Sequence, residues 1–102
     1  MKFSSIFALA LLGASAEAVS MKACSSKDMN GSCTTKTSNG KSTGTFKSYK
    51  FTASTNKCVK ICNSCDSLGW RCQSYSNNDI SFNKFIVFDW ANGNGPDNAS
   101  CC

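Results

Sequence analysis

The chain has 102 residues, a formal net charge of +5, eight cysteines and no histidine. That length holds one small domain. Lacking histidine, the chain has neither the commonest general base nor the triads and the usual zinc ligand that depend on it. The aspartates at 28, 66, 79, 89 and 97 fall in predicted turns and element ends, so no carboxylate pair is expected to do acid–base work, and no enzyme activity, catalytic residue or cofactor is expected.

Lys2 is followed by an apolar run over 3–12, interrupted only by Ser4 and Ser5, and then by small residues from Gly13 to Ala18. This is the pattern of a secretory signal, with small residues where the cleavage enzyme needs them. Cleavage after Ala16 or Ala18 fits, and Ala18 is preferred, which makes 1–18 the leader and 19–102 the single domain. The run is too short for a lasting membrane anchor, which needs about 20 apolar residues.

A domain this small buries little apolar surface relative to the chain entropy it must offset, and all eight cysteines lie beyond the leader. In the oxidising secretory route four disulfides are expected, from Cys24, Cys33, Cys58, Cys62, Cys65, Cys72, Cys101 and Cys102. No metal site is expected. Eight cysteines allow 105 pairings, and spacing does not choose among them. Adjacent cysteines rarely bridge each other without strain, so Cys101 and Cys102 are expected to tie the chain end to two separate places.

Segments 32–38 and 41–52 flank Asn39-Gly40, a strong hairpin signal because both residues tolerate positive φ. Two antiparallel strands are expected there, with a bulge near Gly44 or Ser48 because Phe46, Tyr49 and Phe51 do not share one parity. Next, at 100° per residue, Cys58, Ile61, Cys62, Cys65 and Leu68 fall within an arc of about 120°, with Lys60, Asn63, Ser64 and Ser67 opposite. The spacing predicts an amphipathic helix, capped by Thr55 or Asn56 and ended by a left-handed Gly69. Cys62-Asn63-Ser64-Cys65 then lies mid-helix rather than at the N-terminus that a redox pair would use.

Residues 71–76 read as a short strand, 77–79 as a turn, and 80–90 as a central strand with Ile80, Phe82, Ile86, Phe88 and Trp90 on one face and Phe85 and Val87 on the other. The tail over 91–100, with two Asn-Gly steps and Pro96, reads as loop. The expected fold class is therefore α+β: a small disulfide-rich domain of order ββαββ, one amphipathic helix packed on an antiparallel sheet of about four strands. An all-β sandwich is the alternative if the cysteine-rich segment is not helical.

Charge is polarised. Eight lysines stand against Asp28 between Met21 and Lys60, whereas Arg71 and Lys84 face four aspartates from Ile61 onward. Lys36, Lys41, Lys47, Lys50, Lys57 and Lys60 are candidate contacts to an anionic surface; the competing reading is that lysines keep strand edges soluble. Trp70, Tyr75 and Trp90 fit either core positions or a sugar-stacking platform. Asn30 and Asn98 head Asn-x-Ser sequons that can accept N-glycans.

A secretory leader, a short mature chain, eight cysteines and no enzyme motif together resemble the small secreted cysteine-rich proteins of filamentous fungi, many of them effectors. Hydrophobins carry two internal Cys-Cys pairs, whereas here the doublet Cys101-Cys102 is terminal. Defensin-like antifungal proteins share the spacing of Cys58 and Cys62, but their C-x-C is missing. The resemblance implies a secreted, extracellular, non-enzymatic effector, expected to be monomeric, that binds a host protein or a cell-wall component. The alternative is an antimicrobial or killer-toxin-like protein acting on anionic membranes. Nucleic acid is not an expected partner.

Overall fold

The computed structural model describes residues 18–90 and 99–102. The expected leader and most of the 91–100 loop, including the sequon at Asn98, lie outside the described residues. The described chain forms eight strands: β1 (Ser20–Ser26), β2 (Asn30–Lys36), β3 (Gly40–Phe46), β4 (Ser48–Thr52), β5 (Lys57–Asn63), β6 (Asp66–Arg71), β7 (Tyr75–Asn77) and β8 (Phe82–Asp89). They make two antiparallel sheets, ordered β2-β1-β4-β7 and β3-β8-β5-β6.

The expected α+β class is thereby overturned in favour of an all-β sandwich. Among the described residues no α-helix packs on the sheets, and the predicted cysteine-rich helix is instead the β5–β6 hairpin. Its residues alternate: Cys58, Lys60 and Cys62 stand on one face, Val59 and Ile61 on the other. A helix would have left Val59 off its apolar arc, yet Val59 is fully buried. Two β-branched residues packed against a facing sheet outweigh the helical pattern. Thr55 and Asn56 form the turn into β5 rather than a helix cap, with Asn56 at φ 61°. Gly69 does adopt a positive φ, 124°, but within β6, where the β5–β6 register shifts.

The hairpin expected at Asn39-Gly40 is also corrected. Strand β2 pairs with β1 and β3 pairs with β8, so Asn39-Gly40 carries the chain from one sheet to the other. The first hairpin is β1–β2, closed by a 3-10 turn over Lys27–Met29 in which Asp28 and Met29 hold positive φ without being glycine. Buried Ser48 supports this turn, its hydroxyl donating to the Ser26 carbonyl (2.6 Å) and accepting from the Met29 amide (2.9 Å). Gly31 follows at φ 82°, a conformation that strains other residues, and a Cβ there would crowd the Ser25 and Ser26 side chains, so glycine is favoured. The bulge expected near Gly44 is present, as a register shift between Thr43 and Phe46.

Met21, Ala23, Tyr49 and Phe51 from one sheet meet Val59, Ile61, Phe85 and Val87 from the other, and Phe46 and Phe82 close one end of this core. Tyr49 meets the Phe82 ring edge-on at 5.6 Å, and Phe46 lies 5.0 Å from Phe82. Phe82 shares the parity expected for Ile86 and Phe88 but packs between the sheets. Ile86 and Phe88 form a second cluster on the opposite face of β8, with Cys58, Cys62, Ala99 and Cys101. As the sequence predicts, β8 is central: it lies between β3 and β5 and is buried on both faces, which is why it reads as a nearly continuous apolar run.

The cysteines pair as Cys24–Cys33, Cys58–Cys72, Cys62–Cys101 and Cys65–Cys102, leaving none free. The terminal doublet does tie to two places, Cys62 in β5 and Cys65 in the β5–β6 turn. Lysines hold the same tail by its backbone: Lys60 Nζ donates to the Ala99 carbonyl (2.7 Å) and Lys84 Nζ to the Cys101 carbonyl.

Candidate functional site

Strands β6 and β7 are edge strands of facing sheets. Between them the sandwich does not close. In β7, Tyr75 and Asn77 sit opposite Phe51 and Tyr49, so their side chains share the inner face of the sheet with those core residues. In β6, Arg71 sits opposite buried Val59, also on an inner face. The interior therefore opens here as a cleft of about 230 Å³, lined by Tyr49, Ile61, Leu68, Gly69, Trp70, Arg71, Tyr75, Asn77 and Ile80.

The large exposed hydrophobics among the described residues all belong to this cleft: Leu68 at 44%, Trp70 at 39% and Tyr75 at 40%. Single exposed apolar residues are ordinary, but a contiguous group around a concavity marks a binding surface. Trp70, opposite Lys60, turns its ring to the outer face of β6, where it stacks on Trp90 at 5.1 Å between ring centroids, and it borders the cleft at its rim. Tyr75 lies 6.2 Å from Tyr49, and the Arg71 guanidinium sits 4.1 Å above the Tyr75 ring. Burial pushes the Tyr49 hydroxyl above its ordinary pKa, and a hydrogen bond with nearby Arg71 only partly counters this; like any tyrosine at neutral pH, the phenol is protonated and can donate a hydrogen bond.

The shape follows from local sequence. Gly69 lets β6 bulge, while the Cys58–Cys72 bridge anchors the strand just past Arg71. The Ser74 hydroxyl accepts from the Ala53 amide (2.9 Å) and fixes the approach to β7. Of the aromatics weighed for sugar stacking, Tyr75 lines the cleft, Trp70 borders it from the outer face of β6, and Trp90 stacks on Trp70 on that outer face. The sequence reading missed Leu68, which it placed on the inner face of a helix, and Arg71, which it counted only as charge. An Arg-Cys step beside a glycine-broken apolar run was the available signal.

The six candidate lysines do not converge on one patch. Lys41 and Lys60 flank Ile86 on the outer face of the β3-β8-β5-β6 sheet, whereas Lys50 faces outward from the other sheet, opposite Lys22. Lys36 ends β2. Three are engaged within the fold: Lys47 Nζ donates to Ser81 Oγ (3.1 Å), Lys57 pairs with Asp89 (2.6 Å) and Asn39 (3.1 Å), and Lys60 holds Ala99. Asn30, the described sequon residue, is exposed at the start of β2. The eight cysteine sulfurs, being oxidised to disulfides, are staples and not metal ligands.

No protein-family model matches the chain, and neither a curated protein nor a solved structure is detectably similar to it.

Proposed function

We infer that the four disulfides mark a small, extracellular, disulfide-rich protein. We propose that it is secreted and acts without catalysis, in the manner of an effector, by binding a polysaccharide of a host cell wall in the β6–β7 cleft. The gathering of Leu68, Trp70 and Tyr75 at one opening carries this reading. Exposed aromatic faces stack on the C–H faces of sugar rings, and the Tyr49 hydroxyl, the Asn77 amide and the Arg71 guanidinium offer hydrogen bonds beside them. Pull-down of the secreted protein with insoluble wall preparations tests it: wild type is retained, and Tyr75→Ala and Trp70→Ala lose retention while keeping the native fold. Equal retention of the variants would place binding elsewhere. Capture of a host protein by the same cleft would replace the glycan reading.

A membrane-active reading draws support from one observation, the direct opposition of Lys22 and Lys50 on an exposed sheet face. Like charges in that position repel each other and attract an anionic surface. Leakage from anionic vesicles over a salt series decides it: salt-sensitive leakage supports a toxin, and intact vesicles at low salt remove it.

A further inference from the structure

We infer that the cleft takes an acidic sugar unit of an extended polysaccharide and that Arg71 reads its carboxylate. This rests on the glycan reading above and names the class of glycan. Among the residues lining the cleft, Arg71 is the one with a charged side chain. It has no carboxylate partner among the described residues, whose salt bridges are Lys27–Asp79 and Lys57–Asp89. Arg71 is instead held by its face, 4.1 Å over the Tyr75 ring. Arg71 also hydrogen-bonds the Tyr49 hydroxyl, and with five N–H donors in a planar fork it keeps others for a planar oxyanion, which a guanidinium can match with two parallel hydrogen bonds. The Tyr49 hydroxyl, protonated at neutral pH as any phenol is, supplies a further donor. Aromatic surface, a fixed cation and a neutral phenol together suit a ring that is apolar on one face and carries a carboxylate at its edge.

Size and strand geometry narrow the ligand. The cleft's 230 Å³ falls below the roughly 300 Å³ at which pockets for compact small molecules begin. A single ring of a longer chain suits it better, with neighbouring rings running out over Trp70. A peptide added along a strand edge is the main competitor, and both edges are poor templates for it. Strand β6 is bulged at Gly69, where its register slips, and β7 has only three residues.

The experiment is calorimetric titration, at physiological ionic strength, of the intact oxidised protein with three probes: an oligogalacturonate, its methyl ester, and a neutral cello-oligosaccharide. The inference expects the oligogalacturonate to bind at least about tenfold more tightly than either uncharged probe. Arg71→Gln removes that preference, Arg71→Lys recovers only part of it, and Lys22→Gln, which removes the same unit of charge on the far sheet, leaves it in place. Because the methyl ester removes charge from the ligand, the question is answered even if Arg71→Gln does not fold.

Equal binding of all three probes would overturn the acidic class while leaving the glycan reading intact. An equal loss in Lys22→Gln and Arg71→Gln would overturn it as general charge attraction. Binding of none of the probes, with an acidic peptide bound at the cleft instead, would remove both readings.

Discussion

The two sheets of the sandwich meet across one core but differ on their outer faces. The β3-β8-β5-β6 sheet is covered there by residues 99–102, and three of the four disulfides attach to it, at Cys58, Cys62 and Cys65. The β2-β1-β4-β7 sheet turns exposed Lys22 and Lys50 outward and carries a single bridge, Cys24–Cys33 between adjacent strands. The first sheet gains a second apolar layer by locking down a tail that local sequence could not hold; the second relies on ordinary alternation. Cross-links that close long loops constrain the unfolded chain more than those within a hairpin, so the two sheets should respond differently to disruption.

The largest effect expected is from Phe85→Ala, which opens a cavity where the sheets meet and costs about 3–5 kcal/mol in urea unfolding of the oxidised protein. Next comes Cys62→Ala with Cys101→Ala. Those residues are 39 apart in the chain, and with Cys65→Ala and Cys102→Ala added, so that no second bridge closes nearly the same loop, opening it costs about 4 kcal/mol on loop entropy. Exposure of Ile86 and Phe88 should accompany it, read as binding of a hydrophobic dye. The matching Cys24→Ala, Cys33→Ala pair, 9 residues apart, costs about 3 kcal/mol and exposes no second core. Equal dye binding after loss of the tail bridges and after loss of Cys24–Cys33 would break the contrast between the sheets.

The smallest effect concerns Asp89, whose carboxyl is held below the usual carboxylate pKa by its bond from Lys57 and then by Asn39. A depressed folded-state pKa contributes stability above the unfolded value, and that contribution is lost as pH falls through the folded one. Asp89→Asn should therefore lower the thermal midpoint slightly at neutral pH and not at all well below the carboxylate range. A midpoint difference that persists in acid would assign the effect to something other than this ion pair.

The mistaken helix has a specific cause. Cysteines four apart, as at 58 and 62, share a face in a helix, where four residues make about one turn, and also in a strand, where four is an even number. The spacing that looked diagnostic was compatible with both periods, and Val59 and Ile61, which prefer strands, become decisive only once another sheet lies against them. Asn39-Gly40 likewise has the chemistry of a tight hairpin, but the neighbours on its two sides are chosen by distant partners. By contrast, β8 was legible because burial on both faces left it an unbroken apolar run from Phe85 to Phe88, and the terminal cysteine doublet was legible because adjacent cysteines rarely bridge each other.

By itself, the sequence determined how this protein persists: eight cysteines in a chain too short for a large interior require covalent links, and the structure uses all of them. The tertiary structure alone decided that the chain is a sandwich and where it opens. Tyr49, Ile61, Arg71 and Tyr75 are scattered along the chain and belong to four different strands, so no local pattern places them together. Only the pairing of distant strands creates two edges that leave aromatic rings and a guanidinium facing solvent.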